Sequence, residues 1–215
     1  MTIYLEEIDK LAIFRDVDYI VGKVTAKFSI PKHCACLIYA TATEAYLNEL
    51  FGQRVCRINA GSCSWKFVPD ELDDGMSSNF YSFIFEPDRA IAAMHEMDLS
   101  KIEMHAWNAA IIGDEPHLID MSTSHIAEHA RHLGFKWIAE KPPQYLFVTE
   151  KEAIAMVEKQ IYGYSAIKVA TAFAEMFSRN QRLTKIAAEL ARTIVKERKQ
   201  IAAMVRGIFM ALAQS

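Results

Sequence analysis

Pro31-Lys32-His33-Cys34-Ala35-Cys36-Leu37-Ile38-Tyr39-Ala40, running on to Leu47-Asn48-Glu49-Leu50-Phe51-Gly52, reads as a helix that opens near a cysteine and closes at a glycine. Ala40, Thr43, Leu47 and Leu50 recur at steps of three and four, with Tyr46 beside them. That is the period of a helix with one buried face. Thr43 is its polar member, and the threonine methyl suits the edge of a buried stripe. Pro31 can begin a helix but not continue one, and Gly52 is a good residue just past its end. A cysteine in the first turn lies at the positive end of the helix dipole, where the thiolate, the nucleophilic form, is favoured.

Two later stretches supply what such a nucleophile needs. Met104-His105-Ala106-Trp107-Asn108 and Leu118-Ile119-Asp120-Met121-Ser122 each set a polar residue in apolar, strand-like surroundings. The turn Gly113-Asp114-Glu115-Pro116 makes the two stretches arms of a hairpin, with His105 and Asp120 on neighbouring antiparallel strands. A base and an orienting carboxylate beside a thiol make a Cys-His-Asp triad.

With these residues in view, the segment from Cys36 to Gly61 resembles the transglutaminase-like cysteine proteins, which share a papain-like core. In that family the nucleophile is followed four residues later by an alanine. A helix then runs to a glycine, and an Arg-containing strand ends near another glycine. Here these are Cys36, Ala40, Gly52, Arg54 or Arg57, and Gly61. The family's next motif matches His105-Ala106-Trp107, then Asp120-Met121-Ser122, where the small polar residue falls one place late. The resemblance covers residues 30–125 and implies Cys36 as nucleophile, His105 as general base and Asp120 as its orienting partner. The implied activity is amide or peptide hydrolysis, or acyl transfer to an amine, with no cofactor. Cys34 is the rival thiol. Two residues on a helix are about 200° apart, so both cannot face one cleft, and the spacing to Ala40 and Gly52 favours Cys36.

One feature departs from the family. Many relatives place a Gln, Asn or Trp upstream of the nucleophile to donate to the oxyanion, and residues 1–35 contain none. Lys32, His33, Tyr19 and Trp65 are the alternative donors. Trp107 and Trp65 are the candidates to line a substrate cleft, against the plainer reading that a tryptophan fills core.

The chain has 215 residues, 52% hydrophobic and 24% charged, an ordinary globular composition long enough for one good core. The formal net charge of −3 argues against a general nucleic-acid binder. It is uneven: from Lys151 onward eleven Lys or Arg face five Asp or Glu. A basic tail against an acidic body suggests that the two pack together or that the tail meets another subunit. Cys34, Cys36, Cys56 and Cys63 form no paired knuckles, which argues against a zinc ribbon and for reduced thiols in the cytosol. The acidic start has no leader pattern, and no apolar stretch reaches membrane-spanning length. The cytoplasm is the expected location.

The expected fold is α+β, a papain-like or transglutaminase-like core over residues 1–149 and a C-terminal helical pair over 150–215. Residues 3–29 read as two short helices broken near Asp16 to Asp18. Residues 54–68 read as a strand, a turn or bulge at Gly61, and a second strand; 69–78 as a surface loop; 79–86 as a strand; 89–97 as a helix. Residues 102–112 and 117–121 are the hairpin strands. Ser124 is placed to cap a helix ending at Gly134, and Thr149 to cap another after a short strand at 145–148. Beyond it a helical stripe runs from Ile154 to Phe177 with Gly163 a possible break, and a long helix carries Ile186, Leu190, Ile194, Ile201, Val205, Ile208 and Leu212. That near-heptad stripe suits helix pairing and a homodimer through the C-terminal helices.

A second chemistry is written in His125-Ile126-Ala127-Glu128-His129, with His132 one turn on. It matches the H-x-x-E-H pattern of inverted zincins, and a zinc-dependent hydrolase is therefore the alternative to the cysteine reading. A solvated amphipathic helix is the plainer account. A third reading is a non-catalytic helical assembly module that keeps a degenerate fold.

Overall fold

The structure, a computed structural model, describes residues 9–67, 80–96, 102–137 and 140–212. Its elements are, in chain order, α1 (Lys10–Phe28), a 3₁₀ turn (Lys32–Cys34), α2 (Cys36–Phe51), β1 (Cys56–Lys66), β2 (Phe80–Phe83), α3 (Pro87–His95), β3 (His105–Ile112) and β4 (Glu115–Asp120). A second 3₁₀ turn (Thr123–His125) leads into α4 (Ile126–His132), then β5 (Leu146–Thr149), α5 (Glu150–Glu158), β6 (Tyr162–Ala166), α6 (Lys168–Asn180) and α7 (Arg182–Leu212). The architecture is α+β. One antiparallel sheet runs in the order β2-β1-β3-β4-β5, and β6 pairs with β1 off that path.

The β3–β4 hairpin fixes the register on which the site depends. Ile112 pairs with Glu115 across Gly113 and Asp114, both at positive φ. Such a two-residue loop twists with the strands it joins. Asn108 then faces Ile119, so His105 and Asp120 fall on the same face at the open end of the hairpin.

Residues 56–66 form one unbroken strand rather than a strand, turn and strand. Gly61 is needed for a different reason. A Cβ there would lie 2.1 Å from the Ser165 carbonyl oxygen and 2.9 Å from the Ile167 nitrogen. The bare backbone lets β6 close onto β1.

α1 is likewise a single helix through Asp16 and Asp18. Both carboxylates take partners from elsewhere: Tyr46 Oη donates to Asp16 at 2.6 Å and Lys32 Nζ to Asp18 at 2.7 Å. A satisfied carboxylate has no reason to break the helix that carries it.

α2 lies against the inner face of the sheet beneath α1 and α7, in a cluster with Ala110, Ile112, Ile119 and Phe147. Residues 38–43 are therefore buried on every side, not along one stripe. A helix apolar all round belongs inside. Part of the opposite face of the sheet is covered by α4, with Ile126 and Ala130 packed on Cys63, Trp65, Phe67 and Tyr81.

The chain after residue 149 is not wholly helical. Thr149 caps α5 with a capping box through Glu152, but residues 162–166 are a strand, and the helix resumes only at α6. Within α7 the buried seam is Thr184, Ala187, Ala191 and Val195, one position on from the Ile186, Leu190 and Ile194 of the expected stripe. Small residues let α7 approach α2 closely. Ile201, Met204 and Val205 are exposed; the side chains of Ile208 and Leu212, like the expected loop at 69–78, lie outside the described residues. No helix among the described residues is long and apolar enough to cross a membrane.

Gly61→Ala is expected to lower stability by about 1–3 kcal/mol or more, the cost of forcing a methyl into a packed position, because β6 must move to admit it. Thermal melting checks this. A wild-type melting temperature would mean that the closure of β6 on β1 is looser than described.

Candidate active site

Cys36 is the first residue of α2, with no side chain capping the helix ahead of it. Its thiol lies 3.9 Å from the Met104 carbonyl oxygen, one residue before His105, and Cys36 and His105 line the same cleft. His105 opens β3 and is 2% exposed; Asp120 closes β4 and is 1% exposed. His105 Nε2 and Asp120 Oδ2 stand 2.6 Å apart, so Nδ1 is the ring nitrogen that Asp120 does not engage. The imidazole is held between Phe83, at a centroid distance of 5.3 Å, and Trp107, at 6.2 Å.

Asp120 is saturated. Its Oδ1 accepts from the Ser122 backbone N–H at 2.8 Å and the Ser122 hydroxyl at 2.7 Å. Its Oδ2 accepts from Tyr164 Oη at 2.7 Å as well as facing His105. Burial alone would push His105 down, but the Asp120 carboxylate holds it well above the usual imidazole range. Burial would raise Asp120, but His105 and Ser122 hold it below the usual carboxylate range. Both directions describe an imidazolium and a carboxylate that stabilise each other out of water.

Two residues escaped the sequence reading. Tyr164 comes from β6, inside a stretch read as helix, so nothing in the pattern pointed to it. Asn108 sits on the other face of β3 and donates to the Ala40 carbonyl at 3.0 Å. That bond pins α2 to β3 one turn after Cys36. A buried Asn in a strand next to a His-Ala-Trp motif was a usable signal.

The cleft over the thiol is lined by Lys32, His33, Cys36, Phe83, His105, Ser122, His125 and Ile126. Trp107 and Trp65, expected to line it, do not. Trp107 packs behind His105, and Trp65 is 3% exposed with its ring 4.8 Å from that of Tyr162. Of the alternative donors, Tyr19 is exposed on α1 and Lys32 pairs with Asp18. His33 has a side chain 9% exposed; its Nδ1 lies 3.8 Å from Glu128 Oε1, and neither ring nitrogen makes a hydrogen bond among the described residues.

In the H-x-x-E-H stretch His125 pairs with Glu128, and both imidazoles are also engaged by tyrosines. His125 Nε2 meets Tyr39 Oη at 3.0 Å and its Nδ1 meets Glu128 at 3.2 Å, while His129 Nδ1 pairs with the Tyr81 hydroxyl. Among the described residues no group of three His, Cys, Asp or Glu is arranged to hold a metal ion. Ser124 caps no helix: α4 follows His125 without a side-chain cap.

The other thiols differ from Cys36 in setting. Burial pushes Cys63 up to about 12 and Cys56 well above its ordinary value. Cys34 is exposed and is raised by partial burial and by Cys36 and Glu128 beside it.

No family model and no curated protein matches this chain. A solved crystal structure of a genomics target is similar in fold, with a TM-score of 0.50 and 12% identity over 86% of this chain and 78% of that one. At that identity the likeness concerns the fold alone.

The buried pair sets a pH signature. A raised His105 contributes stability that is complete below about pH 6.5 and fades as pH rises through its folded value; a lowered Asp120 contributes above about pH 3.9 and loses it as pH falls through its folded value. Asp120→Asn leaves the imidazole buried without its counter-ion. It is expected to cost about 3–5 kcal/mol at pH 5 and less at pH 8, where the neutral ring is already favoured in the variant. Denaturant melts at the two pH values check this. An equal loss at both would mean that His105 is neutral in the wild-type fold.

Proposed function

We propose that this chain performs acyl chemistry at Cys36, hydrolysing an amide or peptide bond or passing the acyl group to an amine, through a Cys36-His105-Asp120 triad in a transglutaminase-like, papain-like core. The observation that supports the reading is the buried His105–Asp120 pair at 2.6 Å opening on a cleft that Cys36 also lines. A structural ion pair would not need a thiol at a helix N-terminus as its third member.

The steps follow from the placement. The Cys36 sulfur attacks the substrate carbonyl while His105 holds the proton it has accepted from the thiol. Asp120, fixed by Ser122 and Tyr164, stabilises the imidazolium and keeps the ring from turning. The oxyanion faces the start of α2, where the first backbone N–H groups of a helix have no partner within it. His33, which lines the cleft and whose Nε2 has no hydrogen-bond partner among the described residues, is the side chain best suited to add a second donor. His105 then returns the proton to the leaving amine. Water or an amine attacks the thioester, with the imidazole acting again as base, and frees Cys36. None of these steps calls for a cofactor.

The test uses p-nitrophenyl acetate and iodoacetamide on the full chain. Wild-type protein is expected to release a burst of one nitrophenolate per chain and to be alkylated at Cys36 ahead of Cys34, Cys56 and Cys63. Cys36→Ala should lose the burst, and His105→Ala should slow it by about 10²–10⁴-fold. Preferred alkylation of Cys34, or a burst that survives Cys36→Ala, would remove Cys36 from the role.

A further inference from the structure

We infer that a second hollow, on the outer face of the sheet, is a binding site for a small apolar anion such as an aromatic carboxylate. It is a cavity of about 710 Å³ between that face and the α5–β6 segment. Small-molecule sites fall in the range of roughly 300–1,000 Å³. It shares no lining residue with the cleft over Cys36, so it stands whether or not Cys36 is a nucleophile.

The register builds its floor. Arg57 faces Ala109, Asn59 faces Trp107 and Ala109 faces Leu118, so these side chains lie together on the face turned away from α2. Ala153, Ile154 and Val157 of α5 and Tyr162 and Tyr164 of β6 complete the wall. Ile154 and Val157 are 54% and 51% exposed, large apolar side chains at a concave surface that nothing in the described chain covers. Trp107 and Tyr162 give an aromatic or branched body rings to pack on.

Two features say what the polar end of the ligand is. Arg54 and Arg57 both line the cavity, are exposed and form no ion pair among the described residues. Glu150, at the first turn of α5, is the carboxylate of the wall, so the wall carries one net positive charge. The Tyr162 hydroxyl is buried with no hydrogen-bond partner among the described residues, and a buried hydroxyl without one is costly. A carboxylate would accept from guanidinium and phenol alike, while its apolar body covers Ile154 and Val157. The floor is also tied to the other site: Tyr164 Oη donates to Asp120.

Calorimetric titration of the full chain with 1-naphthoate tests this, with 1-naphthalenemethanol as the neutral control. One saturable site with a dissociation constant on the order of 100 μM is expected for a ligand of that size. Arg57→Glu should weaken it roughly tenfold, and the neutral alcohol should bind wild type about tenfold less well. Val157→Trp should abolish it by filling the hollow; Val157 is half exposed, so the larger ring need not disturb the core, and an unchanged melting temperature verifies that. The inference is overturned if naphthoate does not saturate the wild type by millimolar concentration. It is equally overturned if Val157→Trp binds with wild-type affinity, or if the alcohol binds as tightly as the carboxylate.

Discussion

A carboxylate out of water is the constraint around which this molecule is arranged. Asp120 is 1% exposed, and an unpaired buried charge costs several kcal/mol, a large part of a domain's whole stability. Its two oxygens are met by an imidazole from β3, a backbone N–H and a hydroxyl two residues on, and a phenol from β6. The phenol reaches it because β6 closes onto β1, and β6 can do so because Gly61 has no side chain. A glycine in one strand, a tyrosine in another and an aspartate in a third are thus parts of one electrostatic solution.

The thiol enters that arrangement through α2, which is held at several points along its length. Asn108 binds the Ala40 carbonyl near its start. Tyr39 and Tyr46 reach across to Asp18 and Asp16 of α1. At the far end Asn48 accepts from the Val55 and Cys56 N–H groups and donates to the Cys56 carbonyl, tying the helix to the first residues of β1. α7 adds the apolar support, with Ala187 and Ala191 fully buried in the same cluster. Arg198 and Lys199 anchor it at Asp16 and the Glu49 carbonyl. The basic tail and acidic body of the sequence meet at such contacts. A helix fixed this way presents its first residue beside the start of β3.

Trp107 and Tyr164 stand between two hollows. On one side they back His105 and Asp120; on the other they floor the cavity beneath α5. Their rings pack at 5.1 Å. Trp107, which looked from its motif like a cleft residue, therefore acts on the thiol cleft through His105, which it packs behind.

What the sequence determined by itself is what lies within one element or one tight turn. The α2 helix opens at Cys36 and closes at Gly52 as its sequence indicated, while Pro31 opens the 3₁₀ turn ahead of it. The hairpin follows from Gly113 and Asp114, and with it the proximity of His105 and Asp120; the cap of α5 follows from Thr149 and Glu152. Only the tertiary structure decided the rest. The break expected at Asp16 to Asp18 is absent because Tyr46, Lys32 and Tyr39, distant in sequence, satisfy both carboxylates. Tyr162-Gly163-Tyr164-Ser165-Ala166 joined its flanking helices in one helical stripe until β1 offered it an edge to pair with. The H-x-x-E-H spacing was genuine, but Tyr39 and Tyr81 claimed its imidazoles. Local pattern reports periodicity and turn chemistry, which are properties of neighbours along the chain. Where a buried polar group finds its partner is a property of neighbours in space, and only the folded chain supplies those.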